Sequence, residues 1–217
     1  MAENNTLSDI AKQLEKAMTP KLAPDCIDKQ DKTMAQDLVE IVNTHALGAA
    51  ASGIGVAWLP GVGSAAALAS MVGFIWSMYF RINNRLGLRF AKVIVKTLAS
   101  AVLSNLAQAA ISVVGSVVLS TALSFTGVGN GAASLIMAAL DYSIVMAGGV
   151  LYLKLINNLM GAGTNPDDMS PTEIEIAMEE VIHNENIAAL LKQSKKTYTA
   201  GRKNGTFTGN ETVNLVD

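Results

Sequence analysis

Asp141 is the only acidic residue between Glu40 and Asp167, and it lies inside an apolar run. A carboxylate at the centre of a bilayer costs about 2.5–3.5 kcal/mol on insertion scales, so this side chain has to face protein or water, or carry a proton. Two chemistries fit it: a buried carboxyl hydrogen-bonded to Asn105, Gln108 or a serine, or a site that interacts with protons or cations. On the preceding apolar run Ser100, Ser104, Gln108, Ser112, Ser116, Ser120 and Ser124 recur every four residues. Such a ridge drifts about 40° around an ideal helix at each step. In a helical bundle it makes interhelical hydrogen bonds, and between several copies it lines water. Asp141, Asn105, Gln108, Ser112 and Ser116 are therefore the candidate intramembrane polar path.

A second set of residues is basic. Arg81, Arg85, Arg89, Lys92 and Lys96 fall within an arc of about 80° if they share one helix, with Ile82, Leu86, Phe90, Val93 and Ile94 roughly opposite. A basic amphipathic helix over 81–96 suits the headgroups of an anionic membrane. Nucleic acid is not expected as a partner, because the stripe lacks interleaved stacking aromatics and sits in an apolar chain of net charge -2. A third set is small: Gly61, Ala65, Ala69 and Gly73, followed by Ser77, recur every four residues, a surface that lets helices approach closely in lipid.

The chemistry of enzymes is not visible. No P-loop is present, Cys26 is the single cysteine, and the two histidines, His45 and His183, lie in different segments. The glycine clusters at 61–66 and 127–131 follow no strand of a βαβ unit and read as tight turns. No catalytic residue, cofactor site or metal site is expected, and the chain reads as a non-enzyme.

The elements that must carry these residues are set by composition. Half of the 217 residues are hydrophobic, 16% are charged, and the mean hydropathy is +0.34, which is apolar for a soluble domain of this length. Charge is uneven: residues 1–45 hold eight acids and five lysines, residues 46–160 six basic residues and one acid, and residues 161–217 nine acids and five basic residues. Ala46–Phe80 and Thr97–Leu140 contain no charged side chain. Each is too long for one crossing of about 20 residues and is broken by a turn signal, "WLPGVG" in the first and "TGVGNG" in the second. Each reads as a helical hairpin.

The expected fold is all-α, with membrane-integral helical hairpins and short amphipathic flanking helices. Residues 1–45 form an amphipathic, cytoplasmic region in which Leu7, Ile10, Ala11, Leu14 and Met18 mark one helix and Met34, Leu38, Ile41 and Val42 begin another. Residues 46–160 form the hydrophobic domain of two hairpins joined by the basic helix 81–96. Residues 161–193 hold an acidic helix that starts at Ser170-Pro171-Thr172-Glu173, a capping box with proline at the first helical position. Residues 194–217 read as a flexible tail. The first 18 residues lack a basic and an apolar region in the order of a cleavable signal peptide.

The order of "WLPGVG", an apolar helix ending in aromatics, "RINNRLGLRF", "FTGVGNGAAS" and "AGGVLYLKL" resembles a bacterial membrane domain of unknown function that is associated with, or fused to, Era-like and dynamin-like GTPases. The resemblance spans roughly residues 41–157 and implies an α-helical domain of the bacterial inner membrane with cytoplasmic ends, coupled to a GTPase in trans. Two functions then fit. One is a self-associating membrane protein that anchors or partners a cytoplasmic protein. The other is a pore or ion-conducting protein, including a membrane-depolarising toxin. A third arrangement is a soluble protein that buries the apolar hairpins in an oligomer and inserts only on meeting a membrane.

Overall fold

Apolar period and end signals decide where this chain is helical. The structure, a computed structural model, describes residues 2–18, 33–54, 65–123 and 130–215, with side chains described for all of these except 2–6, 111–123 and 130–134. The elements are α1 (Ala2–Met18), α2 (Met34–Ala51), α3 (Ala65–Leu86), α4 (Lys92–Leu123), α5 (Asn130–Gly161), α6 (Pro171–Asn184) and α7 (Ile187–Lys203), with one 3-10 turn at Pro166–Asp168. The fold is all-α, with no strand among the described residues. The expected "WLPGVG" turn, Gly61, the loop around Cys26 and most of "TGVGNG" lie outside the described residues.

The caps follow side-chain chemistry. Thr33 accepts a hydrogen bond from Gln36 N while the Gln36 side chain accepts from Thr33 N, and Ser170 and Glu173 form the same reciprocal pair ahead of Pro171. Each box satisfies two of the donors that a helix N-terminus leaves unpaired. At the other ends, glycine is needed. Gly87 takes φ +70°, its N–H donates to Asn84 O and that of Leu88 to Asn83 O at 2.9 Å. These two bonds make a Schellman stop, which requires the left-handed region that glycine enters without strain. Gly163 closes α5 in the same way, with Thr164 N donating to Leu159 O.

The stop at Gly87 corrects the expectation of one basic helix over 81–96. Arg81 and Arg85 finish α3, Arg89 lies in the turn, and Lys92 and Lys96 open α4. The expected tail is corrected too: its first ten residues belong to α7, and 204–215 is an irregular strap laid on the bundle. The 161–193 region holds α6 and the start of α7 rather than one helix.

Helix α5 is the axis of the bundle. It packs against α1, α2, α3, α4, α6 and α7, and an unbroken series from Ala139 to Leu153 is buried. Among the described residues, three helical segments are long and apolar enough to cross a membrane: Ala65–Leu86, Lys92–Ala110 and Leu135–Gly161. Their mean hydropathies are similar, at 1.4, 1.4 and 1.7, but of an apolar 18-residue stretch in each, 39%, 44% and 78% is buried inside the protein. The α5 segment is therefore enclosed by its own chain, while α3 and α4 each keep an outward face. Burial of α5 depends on close backbone approach. A Cβ on Gly149 would lie 2.6 and 2.9 Å from the two γ carbons of Val42 and 3.1 Å from Met78 Sδ, so only glycine lets α2 and α3 reach α5 there.

Candidate functional site

The polar ridge of α4 points outward because the other face of that helix is occupied. Val95, Leu98, Ala99, Val102, Leu103, Leu106, Ala107 and Ala110 are buried, which leaves Thr97, Ser100, Ala101, Ser104, Asn105 and Gln108 exposed. The hydroxyls are turned back on their own helix. Thr97 donates to Val93 O, Ser100 to Lys96 O and Ser104 to Ser100 O at 2.9–3.0 Å, and the Asn105 amide donates to Ala101 O at 3.0 Å. Donors used in this way lower the cost of an apolar surrounding and are less available to water. The side chains of Ser112 and Ser116 lie outside the described ones.

Asp141 is not on that ridge. It is 0% exposed, whereas Asn105 and Gln108 open to the outside, so one protomer does not bring these residues together. One neighbour of Asp141 comes from the C-terminal part of the chain, the Tyr198 phenol of α7, whose pKa is raised by burial first, with Arg202 opposing and Glu211 and Asp141 adding to the rise. Next to it, Tyr142, Tyr198 and Phe207 form a cluster with ring centroids 5.2–6.0 Å apart.

The basic set is split between inward and outward roles. Arg85 pairs with Asp37 of α2 at 2.5 Å, and Arg81 donates to the Asn214 carbonyl at 2.5 Å. Arg89, Lys92 and Lys96 are exposed, with the Lys92 ammonium 6.0 and 5.6 Å from the ring centres of Trp76 and Phe80. The Arg89 N–H donates to Asp167 at 2.6 Å. These bonds gather the α3–α4 turn, the start of α2 and the end of α5 at one end of the bundle.

Among the described residues, Ala65, Ala69 and Gly73 of the small-residue row serve no close helix contact within the chain. Ala65 and Ala69 are exposed, and the nearest atom to a Cβ on Gly73 is Leu215 Cδ1 of the strap, at 3.8 Å. Ser77, in the same register, is buried and 3.3 Å from His45 Nε2. The His45 Nδ1–H donates to Ile41 O at 2.7 Å, which fixes the tautomer and leaves Nε2 to accept from Ser77. Burial lowers the His45 pKa to about 4, the Ile41 bond opposing and the Arg81 charge adding to the drop.

Asn83 and Tyr152 carry no signal of a site in the sequence, and Tyr79, which the aromatic end of the α3 run with Trp76 and Phe80 would place at the headgroup level, is fully buried instead. The Tyr152 hydroxyl donates to Asn83 Oδ1 at 2.7 Å, that of Tyr79 donates to Gly148 O at 3.0 Å, and the two rings stack at 3.9 Å. Among the described residues no group of three or more His, Cys, Asp or Glu is placed to hold a metal ion. Compared with protein-family models, curated proteins and solved structures, the chain matches none of them.

Proposed function

We propose that the chain is a non-enzymatic, membrane-integral helical protein that self-associates and anchors or partners a cytoplasmic protein. The observation that carries this reading is the outward face of α4, a candidate span whose exposed residues from Thr97 to Gln108 are small or carry a hydroxyl or amide, and whose hydroxyls are bonded back to the helix. Such a face packs against another helix better than against lipid, since lipid offers no partner for Asn105 and Gln108. The resemblance to the GTPase-associated domain is the support for a GTPase as the cytoplasmic partner. The positive-inside rule supports an inner-membrane location with the end where α2 begins and α5 stops in the cytoplasm, since Arg81, Arg85, Arg89, Lys92 and Lys96 cluster there; both termini are cytoplasmic in this reading only with α2 as a fourth crossing beside the three candidate spans.

Self-association is tested with Ser104→Cys in a Cys26→Ser background, oxidised in membranes. A disulfide-linked dimer is expected. Carbonate-resistant membrane integration without any cross-link from positions 100, 104 or 108 overturns the α4 interface. Topology is tested with cysteines at the exposed Asn84 and Asn210, which should resist an impermeant thiol reagent in intact cells.

The ion-conducting alternative draws on the same face, through the exposed amides of Asn105 and Gln108. In that reading the path runs between copies along α4, and Asp141, enclosed by its own protomer, lies off it. Bilayer current from purified protein should then change with Gln108→Leu and be indifferent to Asp141→Asn. Absence of current from folded wild-type protein removes the alternative.

A further inference from the structure

Residues 204–215 leave α7 and cross to the face formed by α2 and α3, without helix or strand. Four contacts hold this strap. Phe207 lies on Gly201, with its Cγ 2.9 Å from a Cβ placed there, and stacks among Tyr142 and Tyr198. The Val213 side chain sits over Gly48 of α2, its Cβ 3.1 Å from where a Gly48 Cβ would be. Leu215 reaches Gly73 of α3. The Arg81 guanidinium donates to the Asn214 carbonyl. The polar parts of the strap are ordered on themselves: Glu211 accepts from the backbone N–H groups of Thr208 and Gly209, bonds that hold its carboxyl below the usual range against the opposing effect of burial.

The position of the strap conflicts with a bilayer around α3. The candidate span Ala65–Leu86 has 22 residues, and Gly73 is eight residues from its start, about 12 Å along an axis of about 33 Å. Irregular backbone is not stable against lipid at that depth, because its N–H and C=O groups find no partner there. The strap on Gly73 and lipid on Gly73 are mutually exclusive. We propose that residues 204–215 are a latch: they hold the α2–α3 face closed in a form of the protein that has not inserted, and their release precedes insertion of α3. Glycine at positions 48 and 73 leaves room for the latch, and Arg81, which would otherwise face the interface of the bilayer, is tied to it in the closed form. The proposal rests on the membrane reading above and adds an order of events to it.

The test locks the latch in the full chain. In a Cys26→Ser background, Gly48→Cys with Val213→Cys brings two β carbons to a separation that a shift of a few tenths of an ångström in the strap makes suitable for a disulfide, for which about 3.8 Å is typical. Protein purified in the oxidised and reduced states is added to vesicles of phosphatidylcholine with a minority of phosphatidylglycerol, and the carbonate-resistant fraction is followed with time. Oxidised protein should insert about tenfold less than the same protein after reduction, and Leu215→Asn, which weakens the latch without a new covalent bond, should insert faster than wild type. Equal insertion of oxidised and reduced protein overturns the latch while leaving the membrane reading in place. Failure of wild-type, reduced and Leu215→Asn proteins alike to insert overturns the membrane reading, and the latch with it.

Discussion

Helices α4 and α5 are both 32 residues long, yet the fold uses them oppositely. Within α5, Asp141 and Ser143 are buried along with every apolar neighbour from Ala139 to Leu153. Within the part of α4 whose side chains are described, Lys92–Ala110, a single apolar face is buried and the polar residues lie outside. The difference is set by what each helix offers at close range. Gly148 and Gly149 let α2 and α3 approach α5 on one side, and Tyr142 receives α7 and the strap on another. On α4 the four-residue serine ridge gives no large side chain for a neighbour to cover. A long apolar helix is thus one sequence signal with two structural outcomes, an axis and a wall.

The largest expected effect sharpens that contrast. Gly149→Leu forces a side chain into the space held by Val42 and Met78, and overpacking at a contact of 2.6 Å should cost about 3 kcal/mol or more. Ser104→Leu on the wall should change the stability of the protomer by no more than about 0.5 kcal/mol. Denaturant unfolding in mild detergent measures both. Similar losses for the two variants would break the distinction between axis and wall.

How far this contrast was legible in the sequence depends on the element. The buried stripe of α1, Leu7, Ile10, Ala11, Leu14 and Met18, and the start of α6 at the Ser170–Glu173 box were readable, because period and cap are local properties. The all-α class and the apolar helices were readable from the two charge-free runs. The basic stripe failed at Gly87, since a single glycine is compatible with a continuing helix and only the left-handed φ of the folded chain reveals the stop. The strap was read as a polar tail because its anchors, Phe207, Val213 and Leu215, are separated by polar residues and have no period. Asp141 lies in a helix, α5, as its apolar flanks imply, but its neighbour Tyr198 is 57 positions away, and sequence pattern carries no signal across that distance.

A second prediction concerns a polar group in the shell around α5. The folded pKa of His45, about 4, lies below the ordinary 6.5. The unfolded chain therefore binds more protons between these values, so stability is fully present above pH 6.5 and falls as pH drops toward 4. The loss should be about 2 kcal/mol between pH 6.5 and 5. Unfolding curves of wild type and His45→Gln across pH 7.5 to 4.5 measure it, and the difference between the two isolates His45 from Glu211. Parallel curves would show that the α2–α3 contact opens readily to water.

The outward face offers a smaller effect per residue. Replacing Arg89, Lys92 and Lys96 together by Gln should weaken association with anionic vesicles by roughly 1 kcal/mol per charge, whereas Arg85→Gln should have little influence, because the Arg85 guanidinium is paired with Asp37. Vesicle co-sedimentation at two salt concentrations is sufficient, as the effect of the outward charges should shrink at high salt. Equal losses from Arg85→Gln and from any one outward substitution would mean that the pair opens at the membrane surface.

The smallest effect lies at the rim where the two behaviours meet. Arg85 and Asp37 join α3 to α2 at 2.5 Å with about a quarter of each side chain exposed, 22% and 24%. Solvent screens a pair of this kind, so a double-mutant cycle of Asp37→Asn and Arg85→Gln should give a coupling of about 0.2–1 kcal/mol. The Asp37 carboxylate also lies in the first turn of α2, where a negative charge is favourable to the helix by itself. Asp37→Asn should therefore cost more than Arg85→Gln, by the share that belongs to the helix and not to the pair. A coupling well above 1 kcal/mol would show that this rim is far less hydrated than its exposure indicates, and would extend the enclosed character of α5 outward to the α2–α3 junction.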